Sequence, residues 1–146
     1  MKLTVAWIGR TKEPAIQSLT AEYLKRLARY IPTDALELKD EAALRKHLSK
    51  PGRTAPLLVL LDSRGKQLSS EELAGFLRKH QDSGTQQLVF AIGPADGFSA
   101  ESRAAAAFTL SLGRMTLAHE LARVVLLEQL YRAVTIISGH PYHSGH

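Results

Sequence analysis

The sequence predicts an α/β fold: a mostly parallel sheet flanked by helices. Two observations carry this expectation. Pro56–Leu61 and Gln87–Ile92 are unbroken apolar runs, the pattern of strands covered on both faces in a parallel sheet. Strand-like segments also alternate with helix-like ones, so successive strands are joined by crossovers lying on the sheet faces. At 146 residues the chain is expected to form one domain, 1–146, around one core.

Lys2–Ile8 reads as the first strand, rich in β-branched and aromatic residues and stopping at Gly9. Pro14 opens a helical pattern in which Ile16, Leu19, Tyr23, Leu24 and Leu27 recur at three- and four-residue steps up to Pro32. Ala35–Leu38 is a short second strand, and Glu41–Leu48 a helix ending near Pro51-Gly52. After the third strand, Asp62-Ser63-Arg64-Gly65 makes a turn. Ser69 with Glu72 fits a capping box that starts the next helix. A loop over Gly93–Ser99 leads from the fourth strand into an alanine-rich helix from about Ala100. Phe108–Leu112 is a short strand, Leu117–Ile137 a long helix, and Ser138–His146 a tail. Ligands of parallel sheets sit at the carboxyl ends of the strands. Those ends are Leu61-Asp62, Ile92-Gly93 and Leu112-Gly113, so three late loops are expected to share one site.

Hydrophobic residues make up 45% and charged residues 23%, the balance of a folded, water-soluble domain rather than a disordered or membrane chain. No window approaches the roughly 20 apolar residues that span a bilayer. Met1–Gly9 lacks the apolar core of a secretion signal, so the cytoplasm is the expected location. There is no cysteine, which excludes disulfides, thiolate metal sites and a cysteine nucleophile. Nineteen Lys and Arg against fourteen Asp and Glu give +5, which suits a polyanionic partner.

On the last helix Leu121, Val124, Val125, Leu126, Leu127, Leu130 and Val134 spread around the whole circumference. Either it is a central core helix, or a second subunit supplies part of its cover. Glu128 and Arg132 are four apart in the order that favours an ion pair. His119 and Arg123 share that spacing on another face, which leaves Arg123 as a structural pair or an RNA contact. The Gly93-Pro94 loop is not the GxGxxG of a Rossmann nucleotide enzyme. In the tail, His140, His143 and His146 are spaced by three. Pro141 and Gly145 prevent a helix there, and no acidic residue is near, so no metal is expected. The Tyr142 ring can stack on an unpaired base, and His143 can exchange a proton near neutral pH.

Several stretches taken together carry a resemblance. They are Leu60-Leu61-Asp62 with Gly65-Lys66, Phe90-Ala91-Ile92-Gly93, Asp96-Gly97-Phe98-Ser99, the run from Leu110 to His119, the run from Leu127 to Ala133, and Pro141-Tyr142-His143. Over nearly its whole length the chain resembles the ribosomal RNA large subunit methyltransferase H family of the SPOUT superfamily. The resemblance implies a C-terminal trefoil knot, a homodimer and S-adenosylmethionine as methyl donor. It implies N3 of a pseudouridine in 23S ribosomal RNA, within the assembled ribosome, as acceptor. By matched position the cofactor residues are Leu61, Gly93, Leu112, Gly113, Arg114, Met115, Thr116 and Leu117. Tyr142 or His143 is expected to position the base or assist its deprotonation, with Arg132 or Arg123 supplying positive charge. Arg10, Lys12, Arg64, Lys66 and Arg114 are candidate phosphate contacts. The chain departs from the family's pattern at Pro94, where a second glycine is usual, and at Gly113, where a residue such as serine is common. Two rival functions are a noncatalytic RNA- or ribosome-binding protein on the same fold, and a SPOUT methyltransferase acting on transfer RNA or protein.

Overall fold

A computed structural model describes residues 1–94 and 96–143. Strands and helices alternate along it: β1 (Lys2–Ile8), α1 (Pro14–Ala28), β2 (Thr33–Leu38), α2 (Glu41–Leu48), β3 (Leu57–Gln67), α3 (Ser70–Asp82), β4 (Gln87–Ile92), α4 (Ala100–Ala105), β5 (Phe108–Ser111) and α5 (His119–Ser138). A 3₁₀ turn at Pro141–His143 follows. The strands form one sheet in the order β2-β1-β4-β3-β5, every neighbouring pair parallel.

The unbroken apolar runs follow from this architecture. Successive side chains of a strand point to opposite faces, and here both faces are covered. Leu3, Val5 and Trp7 of β1, with Leu88, Phe90 and Ile92 of β4, join the core beneath α1, α3 and α5. Ala6 and Ile8, with Leu58, Leu60, Val89 and Ala91, form a second core on the other face with Leu44 of α2 and Phe98. The helix starts obey local chemistry. Pro14 opens α1, the Asp40 side chain caps α2, and Ser69 with Glu72 completes the expected capping box on α3.

The structure departs from the expected elements at β3. The strand runs on through the expected turn at 62–65. Leu110 of β5 pairs with both Leu61 and Lys66, so the residues between them arch out of the ladder before pairing resumes. A bulge of this kind re-aims side chains at a strand end. Here it carries Asp62, Ser63 and Arg64 over the carboxyl edge of the sheet.

Helix α5 packs against both α1 and α3. Leu126, Leu127 and Leu130 are fully buried, whereas Leu121 is 46% exposed and Val124 and Val125 are half-buried. One side of the helix is therefore core within the chain, and its first turns keep an open apolar flank. Leu19 on α1 is also exposed. No described helix is long and apolar enough to cross a membrane.

Candidate functional site

The carboxyl ends of β3, β4 and β5 and the start of α5 enclose a cleft of about 630 Å³. Leu61, Gly93, Leu112, Gly113, Met115, Thr116 and Leu117 all line it. These are the expected cofactor positions with the exception of Arg114, whose exposed side chain is not part of the lining. The three late loops do converge on one site.

Two glycines in the cleft have distinct physical reasons. At Gly93 an added Cβ would stand 2.8 Å from the Phe98 ring, so the close approach is made by this buried aromatic. Gly113 has φ +139°, a conformation L side chains rarely adopt. Its amide donates to the Ser111 hydroxyl at 3.1 Å, and that hydroxyl donates back to the Gly113 carbonyl at 2.9 Å. Pro94 offers no amide hydrogen, yet its carbonyl accepts from the Gly97 amide at 2.9 Å and closes the loop turn.

Charge gathers in one corner. The Asp62 carboxylate is ion-paired to Arg103 and accepts from the Arg64 amide at 2.8 Å. Burial by itself would raise its pKa. The Arg64 amide and the Arg103 guanidinium outweigh burial and hold the carboxyl below its ordinary range. Arg103 also donates from Nε to the Phe98 carbonyl at 3.3 Å, tying the loop after β4 to the β3 bulge. Arg103 was not legible as a site residue. The available signal was Asp62 itself: a carboxylate at the end of a buried strand needs a cation, although nothing local says which.

The volume lies within the roughly 300–1,000 Å³ of small-molecule sites. Aliphatic walls from Leu61, Ile92, Leu112 and Leu117 suit a heteroaromatic ring, and the charged corner suits an ionic end. The residues present fit an adenosine cofactor with a charged tail.

The expected catalytic residues lie elsewhere. Tyr142 donates from its hydroxyl to Glu128 Oε2 at 2.9 Å, and Arg132 donates to the same oxygen at 2.7 Å. The Arg132 guanidinium also lies 5.1 Å from the Tyr142 ring centroid. The expected Glu128–Arg132 ion pair is thus present, with Tyr142 added to it. Gln129 donates to the other Glu128 oxygen at 3.0 Å. Burial and the bond to Glu128 push the Tyr142 hydroxyl up, so it stays protonated, and Glu128 keeps Arg132 firmly cationic. Tyr131 packs against Tyr142 at 4.6 Å, and Tyr23 and Tyr30 pack against Tyr131, so the chain's four tyrosines form one cluster. His143 closes the 3₁₀ turn beside them. Its side chain, and Ser144 to His146, lie outside the described residues.

Glu128 stands six residues beyond Ala122, the last residue of α5 to line the cleft. That is about 9 Å along the helix and about 120° around it. Within one chain, α5 therefore presents the cleft and the tail cluster at different heights and on different sides.

Arg123 belongs to neither group. It is 1% exposed, with its guanidinium 3.8 Å from the Trp7 ring centroid and a 2.8 Å bond to the Thr11 hydroxyl. It lines a smaller hollow of about 240 Å³. Of the two alternatives, a structural pair or an RNA contact, the buried Trp7–Thr11 seat favours a structural role, with Trp7 and Thr11 rather than His119 as partners. Glu37 accepts from the Trp7 indole and from the Thr11 amide and hydroxyl, and Glu120 accepts from the Lys12 and Glu13 amides. These three charged residues fix the loop that carries Arg10 and Lys12.

Comparison with known proteins agrees with this geometry. Residues 1–143 match the family model for predicted SPOUT methyltransferases. A Ribosomal RNA large subunit methyltransferase H from Koribacter versatilis is 64% identical over 146 residues, covering 100% of both chains. One from Geotalea daltonii is 49% identical over 152 residues, covering 98% of this chain and 99% of the relative. Among solved structures, a methylase family protein from Haemophilus influenzae shares the fold at TM-score 0.60 with 12% identity, covering 96% of this chain and 69% of that one. A Legionella pneumophila protein with bound cofactor SAM does so at TM-score 0.51 with 16% identity, covering 91% and 66%. The chain is a member of the SPOUT methyltransferases and, within them, of the ribosomal RNA large subunit methyltransferase H family.

Proposed function

We propose that this protein transfers a methyl group from S-adenosylmethionine to N3 of a pseudouridine in 23S ribosomal RNA, in the cytoplasm and on the assembled ribosome. The observation that carries the reading is the cleft, where the positions matched to cofactor binding, Arg114 excepted, converge at the carboxyl edge of the sheet. When bound, S-adenosylmethionine supplies an electrophilic methyl group. Leu61, Leu112, Met115 and Leu117 would hold its adenine, and the backbone around Gly93 and Gly113 would give the edge hydrogen bonds. The trefoil knot implied by the family belongs to this reading.

The acceptor nitrogen must lose its proton, and negative charge develops on the neighbouring carbonyl oxygens. Tyr142 commits its hydroxyl hydrogen to a bond with Glu128, so it acts as a stacking ring, which leaves proton removal to His143. Arg132, fixed by the same carboxylate, supplies the positive charge. Arg123 contributes by holding the loop of Arg10 and Lys12, which with Lys66 and Arg114 contacts phosphates. The separation of cleft and tail cluster along α5 favours a homodimer in which one subunit's tail reaches the other's cleft. The exposed Leu19 and Leu121 offer the apolar surface for it.

The test is methyl transfer from labelled S-adenosylmethionine to ribosomes lacking the modification, with the product nucleotide mapped by mass spectrometry. One N3-methylpseudouridine in 23S RNA is expected. Ribosome binding without transfer would replace this reading with the noncatalytic one, and label on transfer RNA or protein would redirect the acceptor.

A further inference from the structure

The charged corner of the cleft has an arrangement that the adenine slot does not explain. Asp62 is nearly enclosed, its side chain 9% exposed, whereas Arg103 and Arg64 are 33% and 76% exposed. Both arginines are moored to that one carboxylate: Arg103 by an ion pair, Arg64 through its amide and its guanidinium. Arg103 spends Nη1 on Asp62 and Nε on the Phe98 carbonyl, and among the described residues no hydrogen bond engages its Nη2 edge. Two guanidinium groups against one carboxylate leave this corner with an excess positive charge. Phe98 and the β3 bulge fix Arg103 in place, so little side-chain freedom remains to be lost when an anion arrives. Among the described residues, Asp96 is the other carboxylate lining the cleft, so opposite charges face a shared space.

We infer that Arg103, assisted by Arg64, clamps the carboxylate of the cofactor's amino-acid end, with Asp62 positioning both. This rests on the cofactor reading of the cleft. A guanidinium matches a carboxylate in shape and charge, and its planar fork is not replaceable by a lysine. The zwitterionic end of the cofactor then lies between the arginines and Asp96, while its adenosine occupies the aliphatic slot.

The experiment is calorimetry on the intact protein with two ligands. S-adenosylhomocysteine carries the amino-acid end; methylthioadenosine keeps the adenosine thioether and lacks it. The wild type is expected to prefer S-adenosylhomocysteine strongly. Arg103→Gln should shrink that preference roughly tenfold, the loss of one charge-assisted hydrogen-bonded contact, with methylthioadenosine affinity unchanged. Arg64→Ala, at a position too exposed to disturb folding, should shrink it about threefold, as expected for a screened surface charge. Arg103→Lys should restore only part of the preference. Equal weakening of both ligands in Arg103→Gln would show that Arg103 merely shapes the loop, and would overturn the clamp alone. Unchanged affinity for both, with weakened ribosome binding, would reassign the arginines to RNA phosphate and also overturn it. A wild type that binds neither ligand would bring down the cofactor reading and the clamp together.

Discussion

The two ends of the working surface along α5 are built by opposite means. At the start of the helix, the cleft is made largely of backbone and aliphatic surface from three loops, with two guanidinium groups gathered on one carboxylate at the Asp62 corner. Farther along, the tail cluster is made of side-chain chemistry: a phenol and a guanidinium sharing one carboxylate oxygen. The first shape suits holding a ligand by its outline. The second suits polarising one. A transferase that needs a positioned donor and an activated acceptor needs both. Their separation along a single helix places the two tasks at different heights and on different sides of the chain.

That contrast can be broken in several places. The largest effect is expected at Arg123, which serves neither end directly. Arg123→Ala removes a desolvated cation–π contact worth about 2 kcal/mol and a buried hydrogen bond worth about 1 kcal/mol. Chemical denaturation should show a loss of about 3 kcal/mol, by that sum. An unchanged midpoint would mean that the Trp7–Thr11 seat does not hold the loop.

Next is the tail. Tyr142→Ala should lower methyl transfer about a hundredfold, the size of effect expected when a group that positions the reacting base is lost, while S-adenosylhomocysteine affinity holds. A comparable loss of cofactor affinity would dissolve the distinction between the two regions.

Acid sharpens the comparison, because the folded state lowers the pKa of Asp62 at the cleft and of Glu37 and Glu41 elsewhere. The unfolded chain then takes up protons first as pH falls. The stability these groups confer is complete above their ordinary values near 4 and is lost as pH falls through the lower folded values. Melting temperature should drop below about pH 4. Asp62→Asn should be less stable at neutral pH and lose less on acidification. A parallel pH profile would show that Asp62 does not take part in this linkage.

The smallest effect is expected where the geometry looks most familiar. Glu22–Arg26 and Glu128–Arg132 are both i,i+4 pairs at 2.7 Å. The side chains of the first are 37% and 47% exposed, and water screens them; those of the second are 18% and 21% exposed, beneath Tyr142. Glu22→Gln should leave the melting temperature unchanged, whereas Glu128→Gln should lower it and loosen Tyr142. Equal effects would show that burial is not what separates the pairs.

The sequence placed most elements within a residue or two, because strand alternation, capping residues and glycine stops are local. Lys2–Ile8, Glu41–Leu48 and Gln87–Ile92 coincide with the observed elements. The β3 bulge was not legible, because a strand that leaves its ladder and returns to it depends on where β5 lies. The expected cofactor positions were reached by resemblance, and the cleft gathers all but Arg114. Phe98 as the reason for Gly93, and Arg103 as the partner of Asp62, are contacts between segments that no periodicity reports.

The sequence alone therefore determined the α/β class, the order of elements and the Glu128–Arg132 pair. These depend on spacing along a strand or a helix, where neighbours are set by the period of the backbone. Tertiary structure decided which charges are buried, that Arg123 sits under Trp7, that Tyr142 shares the Glu128 oxygen, and that Arg103 lines the cleft. Each of these joins residues from different segments, and their meeting is set by how helices and loops pack onto the sheet.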